Sequence, residues 1–175
     1  TVFAATDSEN STINANLGST ISMTTSGSVA LNVTPVSGGS QTSASDTVSV
    51  STNNAGGYFL TLANADATTT LVNGANTIAA HAGTQASPTA LANNTWGYRV
   101  DSIGGFSTGG AVESNVTTSS ITYAGVPATG SPNTIKTTGT TASNDTTTVW
   151  YAVKADTTKP NGTYTDTVTY TATTN

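Results

Sequence analysis

The chain predicts an all-β fold: an immunoglobulin-like or jelly-roll β-sandwich of about ten to twelve short strands with long loops. Three observations predict it. Apolar residues recur at every second position, and no window sustains the i, i+3, i+4 spacing of a helix. Turn-forming residues punctuate these runs at intervals of about 8–12 residues. Threonine, whose branched side chain suits a pleated backbone, occupies 40 of the 175 positions.

Residues 1–17, "TVFAATDSENSTINANL", stand apart from the sandwich domain expected over 18–175. They read either as its first strand or as a detachable arm. In the second case Val2 and Ala4 lie on one side and Phe3 and Ala5 on the other, small apolar knobs that could enter a neighbouring copy. Next, Val29, Leu31 and Val33 share one face of "SVALNVTPV"; Val48 and Val50 do so in "TVSVST", and Tyr58, Leu60 and Leu62 in "YFLTLA". Segments 82–95 and 103–120 are rich in small and turn-forming residues and are expected as long surface loops. The one helical candidate, "SPTALANNTW", is short and weakened by Asn93 and Asn94. Tyr98 and Val100 alternate in "GYRVDS", and Val149, Tyr151 and Val153 in "TVWYAVKA".

Lys159-Pro160-Asn161-Gly162 is a turn signal: proline presets φ and Asn-Gly tolerates positive φ. It predicts an antiparallel pairing of "TTTVWYAVKA" with the closing strand "GTYTDTVTYTATTN". In that strand Tyr164, Val168 and Tyr170 face a core and the threonines face water or a partner. Asp166 shares the core-facing parity, so it must be hydrogen-bonded or sit at the sheet margin.

Composition excludes several function classes. Charged residues make up 7% of the chain, the net charge is −5 and the pI about 4.3. Arg99, Lys136, Lys154 and Lys159 are its only basic side chains, too few for a phosphate-binding surface, so no nucleic-acid partner is expected. There is no cysteine. With lysine and glutamate scarce and Thr, Ser, Asn and Gly abundant, the composition reads as secreted, stabilised by its sheets and not by disulfides. No apolar run reaches the ~18 residues of a membrane span. Residues 1–10 lack a basic region followed by a long apolar one, so Thr1 is read as a mature terminus.

Catalytic signals are weak. Gly105-Phe106-Ser107-Thr108-Gly109 fits the G-x-S-x-G pattern, but "GAVESNVTTSS" after it is a poor helix, and His81 precedes the serine, the reverse of hydrolase order. One histidine, no cysteine and dispersed acids predict no metal site and no cofactor; His81 is expected as an exposed loop residue. Trp96 and Trp150 are expected in the core, with carbohydrate stacking as their other role. Lys154 alternates away from Val149, Tyr151 and Val153, so it is expected to face outward and not to form a buried Lys–Asn isopeptide bond. Six N-x-S/T sequons start at Asn10, Asn32, Asn93, Asn115, Asn144 and Asn161. Chance gives about five or six in such a composition, so they permit glycosylation without indicating it.

Two stretches carry a resemblance: residues 47–101, with "GGYFLTL" and "ANNTWGYRVD", and 147–175, with "GTYTDTVTYTA". They resemble β-sandwich surface modules of Saccharibacteria and related candidate-phyla bacteria, fibre- or pilin-subunit-like proteins. The resemblance implies export, a cell-surface location, a sandwich fold and no enzyme activity.

The expectation is therefore an exported structural subunit of a pilus-like surface filament, assembled by strand donation between copies. Val2, Phe3, Ala4 and Ala5 are the expected donor, and an edge carrying Tyr164, Val168 and Tyr170 the expected acceptor. The partner is the chain itself, or a host or neighbouring cell surface. The alternative is a monomeric adhesin or carbohydrate-binding module.

Overall fold

The computed structural model describes all 175 residues and contains twelve strands and no helix. The strands are β1 (Ile21–Thr24), β2 (Ser40–Thr52), β3 (Tyr58–Asn64), β4 (Leu71–Asn73), β5 (Asn76–Ala80), β6 (Thr89–Ala90), β7 (Thr95–Arg99), β8 (Glu113–Val116), β9 (Thr122–Tyr123), β10 (Asn133–Thr137), β11 (Ala142–Ala155) and β12 (Val168–Thr174). The larger sheet runs β1-β2-β11-β7-β5-β4, with β8 also beside β2; the smaller runs β10-β3-β12, and β6 pairs with β9. All pairings are antiparallel except β5 with β7. The fold is thus an all-β sandwich. No helix is long and apolar enough to cross a membrane.

The period-2 pattern explains the core. Val48 and Val50 of β2, Tyr58, Leu60 and Leu62 of β3, Tyr98 of β7, and Val149, Tyr151 and Val153 of β11 are buried in one cluster between the sheets. Each strand sends alternate side chains inward, and the two inner faces interdigitate. Trp96 joins them, stacked on Tyr151 with ring centroids 6.5 Å apart, and its indole N–H donates to the Thr69 carbonyl. Trp150, expected in the core, instead points the other way, as Lys154 does, because it alternates with the inward Val149 and Tyr151; both are half-buried.

Four further expectations change. Segment 82–95 and segment 103–120 are not bare surface loops: they contain β6 and β8, and they bury Leu91 and Phe106. Leu91 packs with Tyr123 and Ala152 on the outer face of the large sheet. His81 is buried, not exposed, because Thr89 and Thr95 supply its ring with hydroxyl partners.

The closing strand does not pair with β11. It pairs with β3, from Val168↔Asn64 to Thr174↔Tyr58. Residues 156–167 instead cross from one sheet to the other. Lys159 Nζ donates to the Thr77 carbonyl at 2.6 Å, and Thr165 exchanges both main-chain hydrogen bonds with Val72, which fastens the crossing to β4 and β5. Asp166 lies on it, half-buried, accepting a 2.6 Å hydrogen bond from Asn64 Nδ2. Finally, residues 28–34 form no strand, although Val29, Leu31 and Val33 alternate into the core as expected.

Candidate assembly surface

Residues 1–17 are exposed throughout and belong to no strand. None of them takes part in a hydrogen bond with the rest of the chain, and Val2, Phe3, Ile13 and Leu17 are 97%, 90%, 87% and 85% exposed. Large apolar side chains in that state are the informative kind of exposure.

The root of this arm is fixed. Asn53 Oδ1 accepts the Thr20 N–H at 2.7 Å, while its Nδ2 donates to the Gly18 carbonyl at 2.9 Å. Thr52 Oγ1 donates to the Thr20 carbonyl at 2.7 Å. One amide thus engages two main-chain groups just ahead of β1 and continues the β1–β2 pairing by side chains, which holds residues 18–20 in line with β1.

Beyond β1 the chain turns at Gly27, where φ is +86°, a value glycine adopts at little cost. It then follows the side of β2. The Ser26 N–H donates to Asp46 Oδ1, Thr42 Oγ1 donates to the Asn32 carbonyl, and Ser40 Oγ donates to the Thr34 carbonyl. Asn115 Oδ1 accepts the Thr34 N–H at 2.6 Å. The main-chain groups of Asn32 and Thr34 therefore point toward β2 and β8. In an alternating segment those of Val29, Leu31 and Val33 point the opposite way.

β12 is one of the two outer strands of the small sheet. The Thr167 carbonyl accepts from the Ala65 N–H, and the Asn175 N–H donates to the Gly57 carbonyl. Antiparallel ladders alternate, so Thr169, Thr171 and Thr173 bond toward β3. Val168, Tyr170, Ala172 and Thr174 turn their N–H and C=O groups to the free edge. Val168, Tyr170 and Ala172 also pack half-buried on the core, as do Val29, Leu31, Val33 and Met23. The threonines of β12 are exposed on the outer face. Residues 28–34 and β12 thus border the same core, and β1 lies against β12.

Of the residues expected at the acceptor edge, Val168 and Tyr170 lie on β12, whereas Tyr164 lies on the crossing, its hydroxyl donating to the Pro160 carbonyl at 2.8 Å. Val2, Phe3, Ala4 and Ala5 are exposed in the arm. A second apolar set there went unread: Ile13, Ala15 and Leu17 alternate with Thr12, Asn14 and Asn16. Their parity runs on through Ile21 and Met23 of β1, a signal visible in the sequence itself.

The other candidates separate. The Ser107 carbonyl accepts from Arg99 and no helix follows it, while the His81 ring is engaged by Thr89 and Thr95. Arg99, fully buried, also bonds the Thr122 carbonyl and Asp101 and lies 5.8 Å from the Phe106 ring centre. No group of three or more His, Cys, Asp or Glu side chains is placed to hold a metal. All six sequon asparagines are exposed, and the Asn115 side chain is engaged by Thr34.

A cleft of about 760 Å³ opens beside His81, lined among others by Gln85, Ser131 and Asn133. Asn133 Nδ2 donates to the Tyr98 hydroxyl at 2.8 Å, which donates to Gln85 Oε1 at 2.7 Å. Burial raises the Tyr98 pKa to about 12, so this relay is protonated at neutral pH. Burial also holds the His81 pKa below its ordinary 6.5, outweighing its hydrogen bond with Thr89.

Comparisons of the chain with protein-family models, with curated proteins and with solved structures find no match.

Proposed function

We propose that the chain is an exported structural subunit of a cell-surface filament, assembled by strand donation between copies. The observation that carries this reading is the arm: seventeen exposed residues, four large apolar side chains and no internal partner, on a domain with an unpaired edge strand. An edge strand is normally blunted by Lys, Pro or a bulge, yet β12 is Val-Thr-Tyr-Thr-Ala-Thr-Thr, with no charge and no proline. Such an edge suits β-augmentation. Arm-to-edge donation is heterologous and does not close, so it propagates as a fibre. Each junction would gain main-chain hydrogen bonds of ~1 kcal/mol net apiece and burial of large apolar side chains at ~1.5–3 kcal/mol each.

The test is deletion of residues 1–17, with electron microscopy and sizing of both proteins. The intact chain is expected to form filaments and the truncated chain to stay monomeric. Polymerisation of the truncated chain overturns the donor role of the arm.

A second reading is a monomeric adhesin or carbohydrate-binding module on the same kind of surface. The cleft lined by Gln85 and Asn133, the two amides of the Asn133–Tyr98–Gln85 relay, favours it, since amides and hydroxyls are the groups that bind sugar hydroxyls. An intact chain that stays monomeric and binds glycans on an array would select it.

A further inference from the structure

We propose that the inserted strand is Ile13–Leu17 of a second copy, and that it fills the seam between β12 and residues 28–34. This rests on the subunit reading above and goes further by assigning both the donor segment and its seat.

Four observations converge. Ile13, Ala15 and Leu17 present one apolar face with small or polar residues between them, the pattern of a strand with one face buried. Val2 to Ala5 have apolar side chains on both faces and are separated from this segment by Asp7 and Glu9. From Asn10 to Thr24 the chain carries no charge, so its entry into an apolar seam desolvates no ion. Val29, Leu31 and Val33 are three half-buried positions to match three knobs, and β12 carries unpaired main-chain groups along its free edge.

The arm does not occupy its own domain: residues 13–17 are exposed and in no strand, while Asn53 and Thr52 hold Gly18 and Thr20 in line with β1. The segment of a second copy adds to β12 as a fourth strand of the small sheet, with alternate side chains entering against Leu31 and its neighbours.

The experiment uses full-length chains. The double variant Ile13→Asp/Leu17→Asp alters only exposed, uncontacted side chains and is expected to lose filament mass by more than tenfold, while Val2→Asp/Phe3→Asp polymerises within about twofold of the parent. Leu31→Asp, blocking the seam but keeping the donor, is expected to stay unpolymerised. Mixing it with Ile13→Asp/Leu17→Asp pairs one good donor with one good seam and is expected to give a 1:1 dimer that grows no further; this outcome does not depend on Leu31→Asp having an intact seam. Loss of filaments in Val2→Asp/Phe3→Asp but not in Ile13→Asp/Leu17→Asp overturns the present assignment and leaves strand donation standing. Mixed variants that stay monomeric overturn the seam. An intact parent that never polymerises overturns the subunit reading, and this inference with it.

Discussion

The phenols of Tyr151 and Tyr170 meet at 2.7 Å, a hydrogen bond that joins β11 of the large sheet to β12 of the small one. Burial raises the pKa of both above the ordinary tyrosine value, so both are neutral and the bond is an ordinary O–H···O contact. Tyr170→Phe strands the buried Tyr151 hydroxyl and is expected to cost ~1–3 kcal/mol in urea unfolding. Tyr151→Phe/Tyr170→Phe removes both partners and is expected to cost less than the two single changes added together. Additive costs would show that the bond carries no coupling.

Arg99 is buried, and Asp101, about a third exposed, is its only carboxylate partner, at 2.6 Å. Burial raises the Asp101 pKa, but the N–H groups of Gly110 and Gly109 and the Arg99 guanidinium outweigh this and leave it below 3.8. Asp101→Ala leaves a buried cation on carbonyl partners alone. The expected cost is ~2–3 kcal/mol, discounted from the ~3–5 of a fully buried pair. Chemical denaturation measures it, and a change under 0.5 kcal/mol would show that the Arg99–Asp101 pair does little for stability.

Stability should form a plateau between about pH 7 and pH 10. On the acid side, His81, Asp101 and Asp145 have lowered pKa values in the folded state; burial favours neutral His81, whereas for Asp145 it acts upward and is outweighed by the hydrogen bonds of Lys136 and Tyr58. A group with a lowered pKa stabilises fully above its unfolded value, here 6.5 for the histidine and 3.8 for the aspartates, and is lost as pH falls through the folded value. On the alkaline side burial raises Tyr98 and Tyr123 to about 12 from 10.0, and Tyr58, Tyr151 and Tyr170 upward as well. Their contribution is complete below pH 10 and fades as pH rises. Melting temperature across pH 3–12 checks this; a maximum near the pI of 4.3 would contradict it.

Gly57 holds φ at +79°, and a Cβ there would meet the Thr138 carbonyl. Gly57→Ala is expected to cost ~1–3 kcal/mol by strain and displacement of β10. Gly74, also at positive φ with open space around it, is expected to cost less on the same change. Equal costs would show that the Thr138 contact is unimportant.

The buried faces of β2, β3 and β11 were legible because each follows one rule, alternate side chains inward, that a single strand expresses without its neighbours. Partnership was less legible. Val29, Leu31 and Val33 alternate correctly, yet their segment forms no strand because the β2 edge is taken by β8 and its own carbonyls go to Thr42 and Ser40. The Pro160-Asn161-Gly162 turn is locally a good hairpin signal; the tertiary contacts of Lys159 and Thr165 override it. His81 was misread because its hydroxyl partners stand 8 and 14 residues away. In the arm, the alternation from Ile13 to Leu17 is visible in the sequence, but "VFAA" is the more apolar stretch, and apolar content alone does not distinguish a one-faced strand from a two-faced one.

The clamp at Asn53 has a mechanical consequence. A pull on the arm along its own axis runs straight into β1, whose four residues pair antiparallel with Thr52 to Ser49. The force lies parallel to the strands and perpendicular to their hydrogen bonds, so the ladder is loaded in shear and its bonds must yield together, not one after another. The load then passes to β2, which is paired with β11 from Thr52↔Ala142 to Ser40↔Ala155. The longest ladder of the molecule thus stands directly behind the short β1 ladder, so under tension β1 gives way before the core of the large sheet does.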